Sequence, residues 1–361
     1  MLSSGFQWGE VVSPESQGMA SARLEGAGRG LAERGTAALL VIRHDRIVQE
    51  WQAPGRGPSD GHYTASLAKA LVGGMSLLVA LSDGCLAVDD AACQYLPRWR
   101  EHPEKSRITV RHLATHSSGI EDAADDDTPH EDLPGWKGAF WRREPDPFTP
   151  AMEEAPVLFP PGSGYHYSNP GMAALAYVVT ASLKDSPQRD ILSLLRERIM
   201  EPIGVAGSEW NIGYGRAYRV DGLDLYANWG GGHYTPRAVA SVGRLMLRKG
   251  DWEGRRIVPG EWVTRMLSHA GMPTPDRPRG NPQPASGLCW WLNCDGVWPS
   301  IPRDAFCGAG AGNQSLLVIP SLDLIVVRNG ALLGDPSQGE GFWGGCVKHL
   351  FDPIVEAIVE S

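Results

Sequence analysis

The chain has 361 residues, 42% hydrophobic and 21% charged, enough apolar content to bury a core in roughly two domains or one with an insertion. Its formal net charge of −9 comes without any Lys/Arg-rich cluster, which argues against nucleic acid or an anionic membrane as partner, since both need a basic face. No segment reads as a bilayer span, and residues 1–16 lack the basic and apolar regions of a secretory signal, so a cytoplasmic location is expected.

Residues 1–35 read as a loop and then an amphipathic helix carrying Leu24 and Leu31. Ala37–Ile42 and Ile47–Trp51 flank Arg43–Arg46 as a hairpin: two strand-like runs around a short polar turn. A Gly/Pro/Ser-rich connection at 52–63 leads to Thr64-Ala-Ser66-Leu-Ala-Lys69, which opens an apolar run to Leu81, read as a buried helix. A short helix is expected over Val110–Ala114, ending near His116–Gly119. Residues 121–163 are acidic and rich in proline and aromatics, without clear periodicity, which suggests a lid or binding loop. Helices follow over Pro170–Leu183 and Arg189–Met200, Gly230–Gly232 breaks the chain, and Pro236–Arg248 is amphipathic.

Strands return at Leu288–Leu292, Ser315–Ile319 and Leu324–Arg328, and a helix from Gly345 to Val359 closes the chain. Strands at both ends with helices between them predict an α+β fold: an antiparallel sheet flanked by helices, with a mostly helical insertion. The expected division is 1–63 with 231–361 for the sheet part and 64–230 for the helical part.

Three segments carry chemistry. Ser66 and Lys69 lie one turn apart on a helical face. At a helix N-terminus the amides and the dipole favour developing negative charge, so Ser66 can act as nucleophile and lend its own N–H to an oxyanion. Tyr165-His-Tyr167-Ser-Asn169-Pro170 places a tyrosine in a loop before a helix, where a phenol ionised beside a neighbouring ammonium can act as general base and proton shuttle toward a serine. Such a Lys–Tyr pair titrates as a unit. Cys307–Gln314 is glycine-rich and runs into the strand Ser315–Ile319, where glycines permit close approach of a ligand backbone.

Together the three resemble the serine β-lactamase and penicillin-binding protein superfamily, in its class C β-lactamase-like branch with serine carboxylesterases. Ser-x-x-Lys at 66–69 is a named signature of that superfamily. Tyr167-Ser-Asn169 is similar to its second motif, and Arg111–Gly119 to its Leu-Leu-Thr-His-Thr-Ser-Gly segment. The resemblance implies that Asn169 contacts substrate and Lys69, that the oxyanion hole uses the Ser66 and Gln314 amides, and that no cofactor is needed. It also sets Ala311-Gly312-Asn313 where relatives carry Lys-Thr-Gly. The missing cation favours an uncharged ester or amide, because a charge-assisted bond is worth about 1.5–3 kcal/mol.

Other features have plainer readings. His112 and His116 are four residues apart, but without His-Glu-x-x-His or a third ligand they read as structural. The acidic run Glu121–Asp132 lacks the pattern of a calcium loop and reads as solvated surface. Six cysteines without C-x-x-C spacing read as buried thiols, a Cys289–Cys294 bridge being the open alternative. Of the thirteen tryptophans, Trp136, Trp141, Trp229, Trp290, Trp291 and Trp298 fall where the resemblance implies a cleft. No dinucleotide fingerprint, P-loop or Gly-x-Ser-x-Gly elbow is present. The expected function is hydrolysis of a small ester or amide through an acyl-enzyme on Ser66, with a β-lactamase or D-amino-acid peptidase and a non-catalytic ligand-binding protein as the alternatives. Oligomeric state is left open.

Overall fold

The computed structural model describes residues 6–125 and 128–359. Its centre is a seven-stranded antiparallel sheet built from the two ends of the chain: β1 Thr36–Arg43, β2 Arg46–Gln52, β3 Ala285–Ser286, β4 Trp291–Leu292, β5 Phe306–Gly310, β6 Gln314–Ile319 and β7 Leu324–Gly330. The spatial order is β3-β4-β5-β6-β7-β1-β2. The first and last long strands are neighbours, with Leu39 opposite Arg328 and Val41 opposite Val326. The hairpin and the β6–β7 pair follow the sequence reading.

Alternation of side chains along a strand divides this sheet between two cores. Leu40, Ile42, Leu316, Val318, Ile325 and Val327 face one cluster, which includes the amphipathic helix Pro236–Leu247. Leu39, Val41, Leu317, Ile319, Leu324 and Val326 face the other, closed by helix Ser21–Glu33 and the C-terminal helical run beginning at Phe342. The β6–β7 pair is therefore apolar on both faces, which is why it reads as a continuous hydrophobic run.

Residues 64–230 are mainly helical, and one buried cluster runs from the sheet into them without interruption. Ala65–Ser82 does reach the length and mean hydropathy (1.6) of a membrane span, contrary to the sequence reading, but it is 89% buried. It is the central core helix of this protein. The stretch 121–163 also departs from expectation: it contains helices Gly135–Arg142 and Phe148–Glu153. Their anchors are isolated large apolar side chains, Phe140 and Phe148, both packed on Trp229, too few to give a helical period in sequence. The expected strand at Leu288–Leu292 is shortened to Trp291–Leu292, because Cys289 sits in a left-handed turn (φ 64°) at the β3–β4 hairpin tip.

Candidate active site

Ser66 sits on a single 3-10 turn, Ala65–Leu67, at the entrance to the core helix. Ala65 is held at φ 47°, a left-handed conformation that costs free energy for a residue with a Cβ and that aims the following side chain. The surroundings hold this turn in place. Thr64 N–H donates to Gly232 O at 3.1 Å and its hydroxyl donates to Gly231 O. The chain break at Gly230–Gly232 is thus the clamp of the Ser66 turn. Gly231 must be glycine: at φ 76°, a Cβ there would lie 2.2 Å from Gly213 O.

Lys69 begins a π-helical stretch, Lys69–Gly74, of the kind often found at functional sites. Its Nζ is buried and touches three oxygens: Ser66 Oγ at 3.0 Å, Asn169 Oδ1 at 2.7 Å and Trp229 O at 2.8 Å. Burial of the ammonium lowers Lys69 to about 7, although the Asp122 carboxylate favours the charged form. Asn169 is oriented in turn by Asp122, which accepts from Asn169 N at 2.8 Å and Nδ2 at 3.0 Å. Ser168 caps the helix Asn169–Ser182 by accepting from Gly171 N at 2.9 Å, so the capping role and the Lys69 contact belong to adjacent residues.

Asp122 belongs to the acidic run that reads as solvated surface, and that reading fails for it. It faces inward beside Lys69. We expect Asp122→Asn to move the acid limb of the pH–rate profile to lower pH, because removing the negative charge further disfavours the Lys69 ammonium. Rates from pH 5 to 9 would check this; a limb that rises or stays fixed would contradict it.

Tyr167 completes the group. Lys69 Nζ lies 4.6 Å from its ring centroid, and its hydroxyl shares a hydrogen bond with Ser66. Burial raises it well above the ordinary phenol range. Burial therefore favours neutral forms of both partners, an amine and a phenol, over the ammonium–phenolate pair expected from sequence. His116 packs against the Tyr167 ring at 4.5 Å between centroids and Trp291 stacks beyond it. Its Nδ1 accepts from Ser168 N at 3.2 Å, and burial lowers it to about 3, so it is a neutral orienting group. His112 accepts from Thr109 N in a helix cap. Both histidines are thus used locally.

The strand edge beside the serine is β5. A Cβ on Gly310 would lie 2.5 Å from Thr64 O, 2.6 Å from Leu67 N and 2.7 Å from Ser66 N, and one on Gly308 would lie 2.6 Å from Leu67 Cδ1. Only glycine lets the strand approach the Ser66 turn this closely. The two residues expected from sequence here, Gly312 and Gln314, lie just beyond Gly310, in the turn and at the start of β6. Gln314 is the first residue of β6, paired with Gly310, and its Nε2 donates to Gly330 O at 2.7 Å. Gly312 lies against Gly330. The glycine-rich run is itself a strand, a turn and the start of the next strand. Gly310→Ala should cost about 1–3 kcal/mol by overpacking and lower activity, read by thermal melts and initial rates; unchanged values would show that the strand can yield.

Trp229, Trp290 and Trp298 are core residues, whereas Trp291 is partly exposed beside His116. All six cysteines are free thiols, which answers the Cys289–Cys294 alternative. Asp122, hidden in an acidic run, is the residue that sequence reasoning missed; Gly308 and Gly310 lie within the glycine-rich segment it named, and the contact of Trp229 is made by a backbone carbonyl, which leaves no side-chain signal.

The chain is 24% identical, over 93% of its length and 82% of the relative's, to the 6-aminohexanoate-dimer hydrolase of Paenarthrobacter ureafaciens. A solved putative β-lactamase from Bacteroides dorei DSM 17855 superposes with a TM-score of 0.71 at 16% identity, covering 94% of this chain and 99% of the other. A family VIII carboxylesterase gives 0.62 at 17% identity, covering 95% and 98%. At those identities the two structures speak for the fold. The family model described as Beta-lactamase matches residues 22–331, most of the chain, and the chain belongs to that family.

Proposed function

We propose that this protein is a serine hydrolase that cleaves uncharged esters through an acyl-enzyme on Ser66. The observation that carries the reading is the triple contact of Lys69 Nζ. Two of its three oxygens, Asn169 Oδ1 and Trp229 O, can only accept hydrogen bonds. A neutral amine spends both N–H groups on them and leaves its lone pair toward Ser66 Oγ. With Lys69 lowered to about 7, that amine is abundant at neutral pH.

The steps follow. Ser66 O–H gives its proton to Lys69 as Oγ attacks the substrate carbonyl. The tetrahedral oxygen is held by the Ser66 amide and by that of Ala311, the first residue past Gly310; such donors are worth ~10²–10³ each in rate. Tyr167, protonated, donates to the leaving group and regains a proton from Lys69. Water then repeats the sequence on the acyl-enzyme.

The ester preference rests on β5, whose residues Phe306–Gly310 include no cation that could bind a carboxylate beside the scissile bond. A second reading, amide hydrolysis, is favoured by the relative that acts on 6-aminohexanoate dimer. Turnover of p-nitrophenyl butyrate, an amide analogue and nitrocefin, with an alkyl fluorophosphonate adduct mapped by mass spectrometry, tests both. An adduct on Ser66 with ester turnover foremost is expected. Labelling without any turnover would favour a ligand-binding role, and nitrocefin turnover matching the ester a β-lactamase.

A further inference from the structure

Arg328 of β7 is fully buried, and among the described residues its charge is met by the Cys346 thiol rather than by a carboxylate. The other buried arginine, Arg244, is bridged to Asp45 and Glu253. Arg328 instead spends its protons on neutral oxygens. Nε donates to Thr36 Oγ1 at 3.0 Å, and Nη1 donates to Gly312 O at 2.5 Å and Asn313 O at 3.3 Å, while Nη2 has no partner. An unpaired buried cation is a poor device for stability, and an apolar side chain of similar size commonly serves a fold as well or better.

What Arg328 holds is the turn Ala311–Asn313 between β5 and β6. All three carbonyls of this turn are held by side chains: Ala311 O by Gln314 Nε2 at 3.2 Å, Gly312 O by Arg328, and Asn313 O by Arg328 and by Ser315 Oγ at 3.0 Å. Asn313, buried and left-handed at φ 52°, donates to Phe342 O and accepts from Leu333 N. Gly330 leaves the space the guanidinium needs, since a Cβ there would lie 2.7 Å from Nη2. Ala311, the residue next to Gly310, is exposed on the free side of this turn.

We propose that Arg328 is a positioning residue: it locks the Ala311–Asn313 turn and thereby fixes the second oxyanion donor opposite Ser66. The proposal rests on the serine-hydrolase reading, in which the Ala311 amide receives the oxyanion. With the turn unlocked, this amide samples orientations in which it no longer meets the developing charge. Substrate binding and the Lys69 base are untouched.

Arg328→Met is the test. Its melting temperature should equal or exceed that of wild type, its kcat should fall about 10- to 100-fold with KM nearly unchanged, and the midpoint of its acid limb should not move. Its affinity for a phenylboronic acid, which becomes tetrahedral on the serine, should fall by the same factor as kcat/KM. Hydrogen exchange should accelerate in peptides covering 306–319. Retained kcat and boronate affinity, or a parallel loss in melting temperature and activity, would overturn the proposal. Should the Met variant fail to fold, Arg328→Lys keeps the charge but cannot span the two carbonyls and Thr36; full activity there is equally fatal. If wild type neither hydrolyses esters nor binds the boronate, the functional reading fails. The exchange experiment then still decides whether Arg328 locks the turn, and unchanged exchange refutes it.

Discussion

Ser66→Ala is expected to lower ester turnover by on the order of 10⁴-fold or more while leaving the melting temperature within a few degrees of wild type. The size follows from the proposed mechanism, in which Lys69, Tyr167 and the amides act only through the Ser66 oxygen, so that without it no acyl-enzyme forms. The fold is indifferent because Ser66 is partly exposed and its turn is held by Thr64 and Gly230–Gly232, not by its hydroxyl. Initial rates on p-nitrophenyl butyrate beside thermal melts would check both halves. A mutant keeping most of its activity would place the nucleophile elsewhere.

Lys69 offers the second large effect. Lys69→Met should cost about 10³-fold or more in kcat, and Lys69→Arg should not rescue it, since a guanidinium remains protonated and offers no lone pair. In wild type, kcat/KM should rise with pH through about 7 as the ammonium loses its proton. The sign for stability is the same. The folded amine at about 7 lies below its unfolded value, so between roughly pH 7 and 10.4 the unfolded chain binds one more proton. Raising pH across that window therefore favours the folded wild type. Melting temperatures of wild type and Lys69→Met, taken from pH 7 to 10, should diverge in favour of wild type. A constant difference would mean that Lys69 titrates near its ordinary value in the folded state.

Much of this site is legible in the sequence because its principal groups are local. Ser66 and Lys69 are one helical turn apart, and Tyr167 and Asn169 flank a cap, so backbone geometry alone brings each pair together. The strands β1, β2, β6 and β7 are legible for a similar reason, since their burial and turns are written in neighbouring residues. Asp122 is different: nothing distinguishes it from the other carboxylates of its run until the fold brings it to Asn169. The glycine-rich segment fails in another way. Composition announces close approach, but which glycine approaches depends on where the β5–β6 hairpin turns.

The sequence by itself determined the family, the α+β architecture and the placing of Ser66 and Lys69 one turn apart, because side-chain periodicity and short motifs act over a few residues. Tertiary structure alone decided that Lys69 is buried against Asn169 Oδ1 and Trp229 O, and that Gly310 packs against the backbone of the Ser66 turn. Each of these depends on burial or on backbone groups brought together across many residues of chain. Desolvation and main-chain hydrogen bonds leave no mark on the identity of the residues that supply them.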